Sequence, residues 1–225
     1  QLLMPSFIQK AEKYLDYGHF VYIPNAVNVP KVHSSAGEEK NHHLITNVGR
    51  VTGRTKRQHL LVEAFSLVAS DFPDWEVNIW GDTYDKAYVA ALKKLIHSRH
   101  LEERVHLKGT TRDMASVWKD TDIFAFPSHH EGFPLALSEA MAVGIPAVGY
   151  RSCSSVNELI RDGENGFLVE EGPEPFSRAL RTLMEDRELR GRLGEGARES
   201  MKPFYPDAVW DSWDRLIRKT IDKGL

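Results

Sequence analysis

The feature that most constrains this chain is a repeated alternation of short apolar runs with stretches of helical periodicity. The runs are HFVYI (19–23), LITNVG (44–49), EVNIWG (76–81), RVHLKG (104–109), IFAFP (123–127) and PAVGY (146–150). Most lack a strictly polar face, as expected of strands covered on both sides. Between them, Leu60, Leu61, Ala64, Phe65 and Val68 share one stripe of a helix over 59–69. Tyr88, Ala91, Leu92, Leu95 and Ile96 do the same over 84–99. Strands alternating with helices of this length predict an α/β fold, a Rossmann-like parallel sheet with helices on both faces. The polar, unpatterned stretch 31–43 reads as a surface loop. Residues 206–223 read as a helix with Trp210, Trp213, Ile217 and Ile221 on one face. That face packs either on its own domain or partly on another.

Composition narrows the function classes. The chain has 225 residues, 41% hydrophobic and 27% charged, with a formal net charge of −3. Such a balance gives no electrostatic reason to expect nucleic acid as a partner. The longest nearly apolar run, about Ala140 to Tyr150, is broken by Gly and Pro and is too short to span a bilayer. The start lacks the basic and apolar regions of a signal peptide. Cys153 is the single cysteine, which excludes an intramolecular disulfide and fits a reducing compartment. The chain opens on Gln1 rather than Met, so it is expected to be a piece of something longer. No internal repeat is visible.

Ligands of open α/β sheets bind at the carboxyl ends of the strands, beside helix N-termini. Three such ends carry suggestive residues. In NVGRVTGRTKRQ, Gly49 closes a strand, Arg50 follows, and Lys56 lies near the next helix. Two cations there suit a diphosphate, and an ordinary basic loop fits the spacing as well. Neither a phosphate-binding P-loop nor the G-x-G-x-x-G dinucleotide fingerprint is present. In LKGTTRDM, Gly109 closes a strand and Thr110, Thr111 and Arg112 lead into a helix, where backbone groups can read a nucleobase edge. In SHHEGFPLALSEAMAVG, the chain turns through Gly132, and a helix is expected to start near Pro134. The free N–H groups of its first turn make an anion site. Glu131 precedes that helix and Glu139 lies inside it, so one carboxylate can hold a sugar and the other a ribose. Glu139 taken alone fits a solvated or capping role equally.

Other patterns weigh less. Asp120-Thr121-Asp122 matches a metal-binding D-x-D pattern, but it precedes the apolar strand and falls at the opposite edge of the sheet. Asp122 therefore reads as a strand-entry residue. His129, His130 and Glu131 are adjacent in the chain and point in different directions, unlike a zinc site. Cys153 has no nucleophile signature around it and reads as a packed thiol.

In order, IPNAVNV, VGR…K…LLVEAF, VNIWGD, RVHLKGTTRDM, IFAFPSHHEGFPLALSEAMAVGIPAVGY and ELIRDGENGFLV resemble the carboxyl-terminal, donor-binding half of the retaining GT-B glycosyltransferases of family 4. The likeness runs from about residue 18 to 172, and the E-x7-E segment is its most specific part. It implies that Arg50 and Lys56 contact the diphosphate beside Gly49, and that Thr111 and Arg112 lie beside the base after Gly109. It implies that Glu131 contacts the donor sugar, that Gly132, Phe133, Pro134 and Leu135 give backbone contacts to sugar and phosphate, and that Glu139 holds the ribose. Glu131, Arg50 and Lys56 are then the residues nearest the chemistry. No bound metal and no other cofactor is implied, because cations and a helix N-terminus stabilise the leaving diphosphate.

The resemblance further implies a hexosyltransferase that moves a hexose or N-acetylhexosamine, with retention, from a UDP-sugar to a glycan or lipid-linked acceptor in bacterial surface polysaccharide synthesis. Residues 1–17 resemble an interdomain linker, 18–203 the donor domain, and 204–225 a helix crossing back to an amino-terminal acceptor domain absent from this chain. An isolated piece of this kind is expected to transfer little, in the cytoplasm or at the inner face of the membrane through the other domain. Where many relatives have a Gly pair, this chain reads RSCSSVNEL, which leaves the local phosphate contact open. The competing readings are a non-catalytic nucleotide-sugar-binding module and a nucleotide-sugar epimerase of related fold.

Overall fold

A computed structural model describes residues 1–14 and 20–222. Six strands form one parallel sheet: β1 (His43–Val48), β2 (Trp75–Trp80), β3 (Val105–Gly109), β4 (Ile123–Phe126), β5 (Ala147–Tyr150) and β6 (Gly166–Val169). Helices α1 (Pro5–Glu12), α2 (Gln58–Ser66), α3 (Lys86–Ser98), α4 (Met114–Asp120), α5 (Leu135–Ala142), α6 (Val156–Leu159), α7 (Pro173–Glu185), α8 (Arg187–Met201) and α9 (Pro206–Asp222) surround it. Aspartates start three of them. The side chains of Asp85, Asp113 and Asp186 accept from Tyr88 N, Ser116 N and Leu189 N, satisfying N–H groups the helix leaves free.

Both faces of the sheet are buried, which is why its central strands read as unbroken apolar runs. In β4, Ile123 and Ala125 face a core shared with Leu61 and Phe65 of α2 and Leu180 of α7. Phe124 and Phe126 face the other core, with Trp118, Leu137, Met141 and Ala197. The parallel α/β expectation is met.

Strand order decides where a ligand can sit. The sheet runs β3-β2-β1-β4-β5-β6, so the chain winds outward one way from β1 and the other way from β4. Their boundary is a topological switch point, where the loops leaving two adjacent strands diverge and open a crevice. Pairing there is short, since only Ile45↔Ile123 and Thr46↔Phe124 are in register. Beyond it the buried Asn47 side chain takes over, its Nδ2 donating to Ala125 O at 2.8 Å.

Three local expectations need correction. In the segment 19–23, His19 lies outside the described residues, and the rest adds no strand to the sheet. Tyr22 makes one isolated bridge with Leu2, because this segment pairs only with the chain start. The sixth strand is instead 166–169, four residues bracketed by turns and not anticipated. The stretch 31–43 is irregular as expected, but it is not simply a surface loop. Ala36 is buried, and Ser34 N and Ser35 N donate to Val143 O and Lys119 O across the base of the sheet. Helix α5 starts near Pro134 as expected, with Pro134 at its N-cap.

The outer rim at β6 has its own arrangement. Leu168 N donates to Asp162 Oδ1 at 3.0 Å, and Arg151 Nη2 donates to Leu168 O at 2.9 Å. The two side chains also pair with each other at 3.0 Å. At the carboxyl terminus, α9 buries Val209 alone while Trp210, Ile217 and Ile221 are 63%, 53% and 70% exposed. Its apolar face is therefore not packed on this sheet. Residues 15–17 and 223–225 of the expected linker and terminal segments lie outside the described residues.

Candidate functional site

Three glycines line the carboxyl ends of adjacent strands. Gly49 N donates to Trp80 O at 2.9 Å, and Gly81 N donates to Gly109 O at 2.7 Å. A Cβ on Gly81 would stand 1.9 Å from Gly49 O, so only glycine lets the ends of β1 and β2 approach this closely. Lys56 lies over Gly49, where an added Cβ would meet its Cε at 3.2 Å.

From there, three consecutive residues of the β1–α2 loop reach across the switch point to three residues that follow β4. Thr55 O accepts from His129 N at 2.8 Å. Lys56 Nζ pairs with Glu131 Oε1 at 2.6 Å and lies 5.0 Å from the Phe126 ring centre. Arg57 Nε donates to Pro127 O at 3.2 Å. Arg57 starts α2 in the left-handed region, φ 50°, and its guanidinium lies 5.1 Å from the Tyr150 ring centre. It also pairs with Glu171 at 3.3 Å. The Glu171 carboxyl sits below the usual range, chiefly through the Ser152 hydroxyl and then Arg57.

The structure therefore brings Gly49, Lys56 and Glu131 together at the crevice and joins two residues to which sequence reasoning gave separate tasks. Arg50 projects into solvent, and among the described residues its side chain has neither a hydrogen-bond nor an ion-pair partner. Thr111 and the exposed Arg112 follow β3, two strands from β1, or about 10 Å at ordinary strand spacing. Thr111 Oγ1 accepts from Asp113 N at 3.0 Å.

Gly132, Phe133 and Pro134 form the turn into α5, with Gly132 and Leu135 exposed and Phe133 packed against the Phe204 ring. Inside α5, Glu139 is half-buried without a side-chain partner among the described residues, and burial pushes its carboxyl above the usual range. A carboxylate in that state is an open acceptor for hydroxyl groups. Asp122 lies at the opposite end of the sheet, as read from the sequence. It accepts from Leu44 N at 2.8 Å and pairs with Lys40 at 2.9 Å. Cys153 is fully buried, and burial, then the charge of Glu131, pushes its thiol up to about 12. It is a packed thiol.

Sequence reasoning missed Asn47, Arg57 and Ser155. Ser155 is fully buried at φ 73°, ψ −39°, a region that costs a non-glycine residue about 1–3 kcal/mol. A lone asparagine in an apolar strand is a signal for Asn47. Nothing in the basic run 54–57 sets Arg57 apart.

Residues 28–200 match the family description "Glycosyl transferases group 1". The chain belongs to that family. This group 1 glycosyltransferase chain is 33% identical over 72% of its length to the exopolysaccharide phosphotransferase of Streptomyces coelicolor, of which it spans 17%. It is 26% identical over 90% of its length to the poly(glycerol-phosphate) alpha-glucosyltransferase of Bacillus subtilis, of which it spans 30%. Its backbone matches Staphylococcus aureus TarM, solved with fondaparinux, alpha-GlcNAc-glycerol and UDP, at TM-score 0.81 and 24% identity. That match covers 96% of this chain and 43% of TarM. The group 1 chain thus spans less than half the length of these proteins, and its fold is that of a Rossmann-like half of the GT-B glycosyltransferases. No helix among the described residues is long and apolar enough to cross a membrane.

Proposed function

We propose that this chain is the nucleotide-sugar donor domain of a retaining glycosyltransferase, one that moves a hexose or N-acetylhexosamine from a UDP-sugar to a glycan or lipid-linked acceptor of bacterial surface polymers. The observation that carries this reading is the Lys56–Glu131 pair across the β1/β4 switch point. It supports the reading because a lysine able to bind a diphosphate stands beside a carboxylate able to accept sugar hydroxyls.

In the proposed complex Lys56 and the exposed Arg50 neutralise the diphosphate, and the free N–H groups opening α5 add to their field. Glu139 accepts from the ribose hydroxyls, and the loop after Gly109, with Thr111 and Arg112, borders the base. As the bond between the anomeric carbon and the phosphate oxygen breaks, the charge growing on the diphosphate meets fixed cations and needs no bound metal. UDP is favoured because TarM, the structural relative described above, holds it. The exposed Trp210, Ile217 and Ile221 face of α9 is proposed to dock an acceptor-binding domain of the same protein.

Calorimetry of the intact protein with UDP-, GDP- and ADP-glucose and UDP-N-acetylglucosamine tests the reading. At least one should bind, and absence of binding to all four would sink it.

A further inference from the structure

The turn that carries Glu131 is held at two points. Lys56 holds the side chain at 2.6 Å. The backbone is held by Ser155, whose Oγ lies 2.8 Å from Gly132 O and 3.1 Å from Glu131 O. A serine hydroxyl has one proton, which serves the nearer carbonyl and stays within reach of the other.

The geometry has a directional consequence. Both peptides are trans, and in a planar trans peptide the C=O and N–H point in opposite directions. Two carbonyls turned toward Ser155 therefore turn the N–H groups of Gly132 and Phe133 away from it. Neither N–H finds an acceptor among the described residues. Ser155 reaches both carbonyls from a backbone at φ 73° at the entry of α6, a conformation that favours glycine. Its hydroxyl bonds account for a fully buried serine there.

Resting on the donor-domain reading above, we infer that Ser155 is a positioning residue for the donor sugar. It fixes the 131–133 backbone so that the Glu131 carboxylate and the two free N–H groups are presented together to the donor sugar. Ser155 itself touches no substrate. Losing its hydroxyl loosens the grip on the sugar end of the donor and leaves the grip on the bare nucleotide nearly intact, because Arg50 and Glu139 are held by other elements.

Two substitutions separate this role from a structural one. Ser155→Ala removes the hydroxyl and keeps the left-handed strain. Ser155→Gly removes the hydroxyl and relieves the strain, so its folded state survives even where Ser155→Ala does not. In the intact protein, calorimetry compares the sugar nucleotide that the wild type binds best, from the panel above, with its bare nucleoside diphosphate. The expected result for Ser155→Gly is a melting temperature near that of the wild type. Its preference for the sugar nucleotide over the bare diphosphate should be about tenfold smaller, the size of one lost hydrogen bond. Ser155→Ala should lose the same preference. An unchanged preference in Ser155→Gly would overturn the role of Ser155 and leave the donor-domain reading standing. A wild-type protein that binds none of the sugar nucleotides would overturn both.

Discussion

In the free protein, Lys56 is already occupied by Glu131. Their 2.6 Å separation corresponds to a gross attraction of about 6 kcal/mol at an effective dielectric of about 20. Their side chains retain 17% and 11% exposure, so desolvation and residual solvent screening reduce that to about 1–3 kcal/mol net, between exposed and fully buried pairs. A nucleoside diphosphate that recruits Lys56 must compete with this pair and also bring its own negative charge close to Glu131. Glu131→Gln removes both penalties while conserving shape. It should therefore tighten UDP binding by about tenfold, the equivalent of about 1.4 kcal/mol. A UDP-sugar gains the same relief but loses a charged acceptor for its hydroxyls, about 1.5–3 kcal/mol. The preference for UDP-sugar over UDP should accordingly collapse, and turnover with it. Titration calorimetry with UDP and with the preferred sugar nucleotide at one ionic strength reads both quantities. If Glu131→Gln weakens both ligands equally, Lys56 and Glu131 do not compete for the diphosphate.

Two further outcomes are expected. Glu139 has its carboxyl raised by burial, so the fold disfavours its ionised form; that penalty is present above the folded pKa and disappears below the unfolded one. Ribose hydroxyls favour the ionised form, so UDP affinity should rise with pH through this raised carboxylate range. Glu139→Gln should flatten the slope, weaken UDP about tenfold and leave the protein at least as stable at neutral pH; a slope that survives the substitution removes Glu139 from the ribose. Gly81→Ala would place a methyl 1.9 Å from Gly49 O and should cost about 1–3 kcal/mol by forcing β1 and β2 apart. A melting point within a degree of the wild type would show that the strand ends yield freely.

The central strands were legible because burial on both faces leaves a direct imprint. IFAFP has no solvent side, and its alternate residues feed two cores. HFVYI carries the same apolar signature, but strand pairing is a property of neighbours, and its described part meets only Leu2. GFLV was missed because it opens on Gly166 straight after the polar turn DGEN, which leaves three apolar residues as the only signal. At the site, Gly49, Lys56, Glu131 and Glu139 stood out as charges and glycines at strand ends. Their mutual geometry did not, since the Lys56–Glu131 contact spans 75 residues and depends on which strands are adjacent. Ser155 lay inside a segment noted only for departing from a Gly pair. Its left-handed backbone is a property of the fold, and a serine in the sequence does not announce it.

The treatment of Leu168 bears on how such a chain behaves in company. A terminal strand of a sheet normally offers a row of free amide and carbonyl groups on which a foreign strand can build. Here Asp162 and Arg151 occupy the outward amide and carbonyl of Leu168 and neutralise each other. An incoming strand would have to displace an ion pair to gain two hydrogen bonds. The rim at β6 is thereby closed to templated aggregation.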